Sequence, residues 1–231
     1  MNLILVARSV DRLEEVAEHI RQVADVEVEV LPADLSQAEG TLRVCERLID
    51  DERPVGLLVN NAGFGLGQDF VGGDIERELN ALNVMVRAVL MTCHAAIPGM
   101  VARGGGGILN IASMAALTAQ GTYSAHKAWV RTFTEGLAAS LKGTGVNATV
   151  VCPGLVHTEF HEKVDVDPGQ WPESAFIPAE RVAAEAIEGV RRGKVVVTPS
   201  RRYRALAGAL KVAPRSLVRA VAGPERSGRR G

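Results

Sequence analysis

The segment Val55-Gly56-Leu57-Leu58-Val59-Asn60-Asn61-Ala62-Gly63 is a short apolar run that ends in a polar turn. An apolar run without polar alternation is typical of a parallel strand that is buried on both faces. Asn tolerates left-handed backbone geometry, so Asn60 and Asn61 suit the turn that follows. We therefore expect a buried strand that ends at this turn.

Similar strands alternate with helical segments along the rest of the chain. Strands are predicted over residues 3–7, 26–31, 55–59, 108–112, 147–151 and 195–197. Helices are predicted over residues 10–23, 36–51 with Ser36 as its cap, 74–102, a segment that carries Tyr123 and ends near Lys142, and 178–193. This regular alternation predicts the α/β class, with a doubly wound, Rossmann-like parallel sheet in a three-layer αβα arrangement.

Length and composition favour a single domain, and the protein is expected to be cytoplasmic. The chain has 231 residues, 47% of them hydrophobic, which is enough for a sizeable core. No uninterrupted run of eighteen apolar residues occurs, so no transmembrane segment is predicted. Cys45, Cys93 and Cys152 are odd in number and lie in no metal-binding spacing. They are interpreted as reduced thiols, and neither a metal site nor a nucleic-acid partner is predicted.

The charges are distributed unevenly along the chain. Residues 201–231 contain nine Lys or Arg and one acid, whereas the other 200 residues contain 17 basic and 26 acidic side chains. We therefore divide the chain into a main domain, residues 1–200, and a basic C-terminal helical segment and tail, residues 201–231. A solvated helix with a frayed end is the favoured interpretation of this segment. Weak contact with a membrane surface or an anionic ligand is the alternative.

Tyr123 and Lys127 form a Tyr-x-x-x-Lys pair on one predicted helix. This spacing places the phenol and the ammonium one turn apart on the same face. A phenol with a pKa near 10 is a poor acid–base group at neutral pH, but a fixed cation nearby favours the phenolate and lowers that pKa. The pair is thus suited to move a proton to or from a carbonyl or an alcohol.

Five features in order along the chain carry a resemblance to a known family. They are Asn60-Asn61-Ala62-Gly63 after a strand, Asn83 in the next helix, Ser113 after a strand, Tyr123 with Lys127, and Pro153-Gly154 with Thr158. In these features the chain resembles the single-domain type of the short-chain dehydrogenase/reductase family, from residue 1 to about residue 222. The resemblance implies an oxidoreductase that interconverts a carbonyl and an alcohol with a nicotinamide cofactor.

The resemblance also implies roles for the catalytic candidates. Tyr123 would donate a proton to the substrate carbonyl, and Lys127 would lower its pKa and hold the nicotinamide ribose. Ser113 would polarise the carbonyl oxygen, and Asn83 would hold a water that relays protons to Lys127. Each residue has a structural alternative: Tyr123 as an aromatic in a subunit contact, Asn83 as the cap of a kink, and Ser113 as an ordinary turn residue.

The cofactor assignment depends mainly on Arg8, which follows the first strand. An acidic residue there would bind the ribose 2′-hydroxyl of NAD(H), whereas Arg suits the 2′-phosphate of NADP(H), which is the favoured cofactor. Arg12 is a candidate to assist, and a simple strand-end role is the alternative for Arg8. By resemblance, the other cofactor-binding candidates are Asp34, Asn60, Ala62, Gly63, Tyr123, Lys127, Pro153, Gly154 and Thr158.

The sequence departs from the family pattern in two places. The family begins with a strand and a glycine-rich loop that binds the pyrophosphate, and no such segment precedes residue 3. Since that strand lies in the middle of the sheet, its neighbours are expected to lose a pairing partner. A start upstream of Met1 is favoured over an altered fold with a damaged cofactor site. Ser113 and Tyr123 are also ten residues apart, closer than is usual in the family, so Thr118 or Thr122 is an alternative hydroxyl donor.

The substrate and the partners are the least specific predictions. In the family the segment after Pro153-Gly154 covers the substrate, and here it contains Phe160, Trp171 and Phe176. These residues favour a hydrophobic carbonyl or alcohol. The resemblance also implies a homo-oligomer formed through the helices that bear Asn83 and Tyr123. The alternative function is a non-catalytic binding or scaffold protein built on an incomplete Rossmann unit.

Overall fold

Six parallel strands form the sheet region of the computed structural model, which describes residues 1–156 and 172–221. The strands are β1 (Leu3–Ala7), β2 (Val28–Pro32), β3 (Leu57–Asn60), β4 (Gly106–Ile111), β5 (Val146–Val151) and β6 (Val196–Val197). β1 pairs with β2, and a separate four-stranded sheet has the order β3-β4-β5-β6. All four pairings are parallel, which requires the connecting helices that the sequence predicts.

Eight α-helices connect or follow these strands within the described residues. They are α1 (Val10–Val23), α2 (Ala38–Leu48), α3 (Ile75–Leu82), α4 (Ala88–Ala102), α5 (Gly121–Ser140), α6 (Ala179–Arg191), α7 (Arg201–Val212) and α8 (Arg215–Val221). Asp74 caps α3, because its side chain accepts a hydrogen bond from the Glu76 amide. The prediction that Ser36 caps α2 was wrong. Gln37 holds the cap position, since Ser36 donates its amide and hydroxyl to the Asp34 carboxylate.

Helices cover both faces of the larger sheet, so the predicted three-layer α/β fold is confirmed. On one face, residues of α4 such as Val89 and Met100 pack with Leu58 and Ile108 of the strands. On the other face, α6 packs against β4, β5 and β6 through a second cluster, which contains Leu109, Val151, Ala186, Val190 and Val197. The parallel strands are therefore buried between two helical layers, as their apolar runs require.

A π-helical turn divides the helix that was predicted over residues 74–102. This turn, Asn83–Arg87, joins α3 to α4. By length and composition alone, the run Ile75–Ala102 is long and apolar enough to cross a membrane, and 39% of its most apolar window is buried in the fold. Its inward residues Cys93 and Ala96 pack in the hydrophobic core against the sheet. This segment is therefore placed as a core helix of the fold.

Strands β1 and β3 each have a single pairing partner among the described residues. β1 bonds to β2 and β3 bonds to β4, and the two sheets are not hydrogen-bonded to each other. Val59 in β3 is 47% exposed, although its neighbour Leu58 is buried. Packing of α2 against α4 connects the two sheets, together with a hydrogen bond from the Asn83 side chain to the Ser36 carbonyl. The strand order otherwise agrees with the predicted doubly wound sheet.

Candidate active site

The candidate residues follow the carboxyl ends of successive parallel strands. Arg8 follows β1, Asp34 follows β2, Ser113 follows β4 and Pro153 follows β5, while Asn60 is the last residue of β3. In a parallel sheet these ends lie along one edge, which is where α/β proteins bind their ligands. The fold therefore places the predicted residues along the same edge.

Helix α5 positions Tyr123 and Lys127. The helix starts at Gly121, whose φ of 70° lies in the left-handed region that favours glycine, and Tyr123 falls in its first turn. The Ser113 side chain lies close enough to the Tyr123 hydroxyl to lower its pKa in part. The ammonium Nζ of Lys127 donates to the Ile111 carbonyl at 2.8 Å and lies 5.8 Å from the centre of the Tyr123 ring. Ser113, Tyr123 and Lys127 thus form one constellation.

Ser113 reaches Tyr123 across the short connection. It precedes a 3-10 turn, Met114–Leu117, and its hydroxyl also accepts a hydrogen bond from the Ala115 amide at 3.1 Å. The alternative donors are occupied elsewhere: Thr118 bonds to the Ala115 carbonyl and to Ser124, and Thr122 donates to Glu78. The geometry therefore favours Ser113 over either threonine as the hydroxyl beside Tyr123.

Burial shifts the pKa values of both groups in the pair. It raises the pKa of Tyr123 to about 12, and the nearby Ser113 side chain only partly opposes this. The structure thus differs from the prediction of a lowered phenol pKa, because burial disfavours the charged phenolate. Burial also lowers the pKa of Lys127 to about 8. At neutral pH the phenol keeps its proton, as a proton donor must.

Gly63 lies directly beside Lys127. A Cβ at this glycine would be 3.2 Å from Lys127 Nζ and 3.5 Å from Met85 Sδ, so the backbone approaches the ammonium closely. The preceding residue Ala62 is exposed in the same loop. A ribose hydroxyl bound here would contact both the Gly63 backbone and the Lys127 ammonium.

Asn60 braces the sheet. Its amide donates to Asn110 at 2.9 Å, and its side-chain oxygen accepts from Thr92 at 2.9 Å. Asn110 in turn donates to Thr134 of α5. This buried network joins β3, β4, α4 and α5, and it satisfies polar side chains that would otherwise be costly to bury. Asn60 thus links β3 to its neighbours, whereas its contact with the cofactor stays a prediction.

Asn83 lies at the start of the π-helical turn, and its side chain donates to the Ser36 carbonyl at 3.1 Å. Such turns widen a helix locally and are frequent at functional sites. The turn also carries Met85, which lies against Gly63 beside Lys127. The alternative role of Asn83 at a kink therefore fits its side-chain contact, and its proposed water relay stays a prediction.

A pocket of about 410 Å³ joins Arg8 to Asp34. Asp34 accepts two hydrogen bonds from Ser36, which fix its carboxylate. Gly40 also lines the pocket, and its backbone lies so close to that of Asp34 that a Cβ there would be 2.2 Å from the Asp34 carbonyl oxygen. Arg43 also lines the pocket, and sequence reasoning missed it because it lies on α2 without a motif. Two guanidinium groups around one pocket suit a phosphorylated nucleoside.

Pro153 and Gly154 form the turn after β5. The Pro153 carbonyl accepts from the Met114 amide at 2.9 Å, so this turn contacts the one that bears Ser113. Thr158 lies outside the described residues, as do Phe160 and Trp171. His126 is buried, and its Nδ1 has no hydrogen-bond partner in the described part of the chain.

Comparison with known proteins identifies the family. A family model described as short chain dehydrogenase matches residues 1–168. Sulfoacetaldehyde reductase 2 of Chromohalobacter salexigens is 34% identical over 164 residues, which are 69% of this chain and 64% of that protein.

Solved structures agree with this result. A short-chain dehydrogenase from Sphingobium yanoikuyae in complex with NADPH has a TM-score of 0.80 and 31% identity, covering 91% of this chain and 84% of that one. A bulky-bulky ketone specific alcohol dehydrogenase from Comamonas testosteroni has a TM-score of 0.77 and 26% identity, covering 91% and 82%. From its sequence match and its fold, the chain belongs to the short-chain dehydrogenase family.

Proposed function

We propose that this oxidoreductase uses NADP(H) to interconvert a carbonyl and an alcohol on a hydrophobic small molecule. The observation that carries the proposal is that Ser113, Tyr123 and the buried Lys127 lie together at one point of the sheet edge. This arrangement offers a proton donor and a second hydroxyl to one substrate oxygen. A scaffold role would not require the three groups to meet.

The proposed reduction needs one proton and one hydride. The bound nicotinamide would supply the hydride to the carbonyl carbon. Tyr123 donates its hydroxyl proton to the carbonyl oxygen as that oxygen gains charge, and Ser113 donates a hydrogen bond to the same oxygen. Lys127, when protonated, stabilises the phenolate that remains. Asn83, at the π-helical turn, is proposed to hold the water through which the proton is replaced.

The proposed cofactor contacts lie along the same sheet edge. Arg8 would bind the 2′-phosphate together with Arg43, which lines the same pocket, and Arg12, which is close in sequence. Asp34 would face the adenine. Lys127 and Gly63 would hold the nicotinamide ribose. The remaining proposed contacts are Asn60, Ala62, Pro153, Gly154 and Thr158.

NADPH is expected to stabilise the chain against thermal unfolding more than NADH does. A ligand at a hundredfold excess over its dissociation constant adds about 2.7 kcal/mol to the free energy of unfolding, which corresponds to a rise of several degrees. In an Arg8→Glu variant the order of the two cofactors should reverse, because a carboxylate repels the 2′-phosphate and can accept from a 2′-hydroxyl. Melting curves of both proteins with each cofactor measure this.

A matched control is Arg53→Glu, since Arg53 is also an exposed arginine but does not line the pocket. It should leave the preference for NADPH unchanged. A wild-type melt that neither cofactor shifts would contradict the cofactor proposal and favour a non-catalytic role.

A hydrophobic substrate is proposed from Phe176 of the described chain and from Phe160 and Trp171 outside it. The ketone specificity of the Comamonas testosteroni enzyme supports this direction, whereas the Chromohalobacter salexigens relative is named for a small anionic aldehyde. Oxidation of NADPH should therefore be measured with bulky apolar ketones and with short polar aldehydes. Faster turnover of the polar set would refute the hydrophobic assignment.

The three free cysteines are consistent with the proposed cytoplasmic location.

We expect the chain to form a homo-oligomer through the outer faces of α3, α4 and α5. Ile75, Leu79 and Leu82 are 58%, 42% and 42% exposed along one side of α3. A groove of about 500 Å³ lies on α5 beside the stacked rings of Trp129 and Phe133. A second copy of the chain would cover these apolar surfaces.

Sedimentation at micromolar concentrations should show at least a dimer for the wild type. A Leu79→Asp/Leu82→Asp variant should sediment as a monomer, because charges cannot be buried unpaired at the interface. Leu206→Asp, at an exposed leucine of α7, serves as the control and should keep the wild-type mass. A monomeric wild type would rule out the interface.

A further inference from the structure

Tyr203 on α7 joins three parts of the chain that surround the turn after β5. Its ring covers Gly154 so closely that a Cβ on this glycine would lie 2.0 Å from the ring carbon Cζ. Its hydroxyl accepts from the Leu155 amide at 3.1 Å and donates to the Ala175 carbonyl at 3.0 Å. One phenol therefore holds two points that are twenty residues apart in sequence.

The turn under Tyr203 is also connected to the turn that carries Ser113. The Pro153 carbonyl accepts a hydrogen bond from the Met114 amide at 2.9 Å. Pro153 precedes Gly154, and Met114 follows Ser113. A displacement of the turn below Tyr203 would therefore be transmitted through this hydrogen bond to the backbone beside Ser113.

Arg215 on α8 holds the other end of the Ser113 turn. Its guanidinium donates to the Leu117 carbonyl at 3.2 Å and to the Thr118 carbonyl at 3.5 Å. These carbonyls lie at the end of the 3-10 turn, where helical turns leave acceptors without a partner in the turn itself. A cation there satisfies them and interacts favourably with the negative end of the turn.

We propose that the C-terminal helices α7 and α8 are a brace that fixes Ser113 against Tyr123, with Tyr203 and Arg215 as its positioning residues. The inference rests on the proposed function, because Ser113 matters only if it polarises a substrate. The connection between Ser113 and Tyr123 is short, so few of its own backbone groups can fix the position of the Ser113 hydroxyl. The brace supplies this support from outside, at both ends of the turn.

The first test follows the backbone and requires no substrate. In Tyr203→Phe the ring still covers Gly154, and only the hydroxyl is lost. Amide hydrogen exchange should become about tenfold faster at Leu155 and also at Met114, whose hydrogen bond lies one step further along the connection. Arg202→Gln, at an exposed arginine of the same helix, should change neither amide. Faster exchange at Leu155 with an unchanged Met114 would overturn the proposal, since Tyr203 would then act locally.

The second test asks whether the brace acts through Ser113. In the wild-type background, Tyr203→Phe and Arg215→Gln are each expected to lower kcat about fivefold to tenfold at saturating NADPH. In a Ser113→Ala background the same substitutions should have no further effect on kcat, because their common target is gone. Equal losses of kcat in both backgrounds would refute the coupling. If the wild type reduces no carbonyl, the proposed function fails, and the exchange experiment alone decides whether the brace exists.

Discussion

Replacement of Tyr123 by Phe is expected to lower kcat/KM for carbonyl reduction about a thousandfold, which is within the range that a positioned proton donor contributes. The substitution removes a single oxygen, and the ring can keep its place in the first turn of α5. Burial raises the pKa of this phenol to about 12, so at neutral pH it enters the reaction as the protonated donor. Without it, the oxygen that gains charge has only Ser113 as a partner.

Cofactor binding should be almost unaffected by the same substitution. The dissociation constant for NADPH is expected to stay within about twofold of the wild-type value, because the proposed phosphate and adenine contacts lie at Arg8 and Asp34. Ser140→Ala removes a hydroxyl at the exposed end of the same helix and should leave turnover unchanged. Turnover that persists in Tyr123→Phe would show that another group donates the proton.

Sequence patterns predicted the order of the elements well, because each strand and helix carries its own periodicity. The helix over residues 10–23 was predicted with its observed bounds, and β1 likewise. A predicted helix boundary was wrong where a local hydrogen bond competed with capping. Ser36 bonds to Asp34, and Gln37 takes the cap position of α2 instead. The π-helical turn at Asn83 was also missed, since it leaves the apolar spacing of the long helix unchanged.

At the site, motifs identified residues but not their contacts. The pairing of Ser113 with Tyr123 was in doubt because the connection is short, and the structure shows that it is long enough. Tyr203 and Arg215 were not found, because their partners lie far away in sequence and neither belongs to a motif. The direction of the Tyr123 pKa shift was also wrong. Sequence spacing gives the distance between two side chains on a helix but not the burial that opposes ionisation.

Replacement of Lys127 by Met should stabilise the fold, because the folded chain buries the charged ammonium at a cost in free energy. Burial lowers the pKa of this ammonium from 10.5 to about 8, and a difference of this size corresponds to a cost of about 3 kcal/mol for holding the charged form in the folded chain. Met fills a similar volume without a charge. The lost hydrogen bond to the Ile111 carbonyl takes back about 1 kcal/mol. The expected net gain in the free energy of unfolding at pH 7 is therefore about 2 kcal/mol.

This gain should depend on pH in a defined direction. Between pH 8 and 10.5 the unfolded wild type still binds the Lys127 proton whereas the folded chain has released it, so wild-type stability rises with pH across this window. The advantage of Lys127→Met is thus largest below pH 8 and is lost by about pH 10.5. Urea unfolding of both proteins from pH 7 to 10.5 measures the difference, with Lys142→Met at an exposed lysine as the control.

Turnover should fall as the fold gains stability. Lys127→Met removes the cation that would stabilise the phenolate of Tyr123 and hold the ribose, so kcat is expected to fall at least about a hundredfold. A residue that costs stability yet supports turnover is characteristic of a site where burial of charge serves function. A variant that is less stable than the wild type at pH 7, or equally active, would show that Lys127 is a structural cation whose main role is its bond to Ile111.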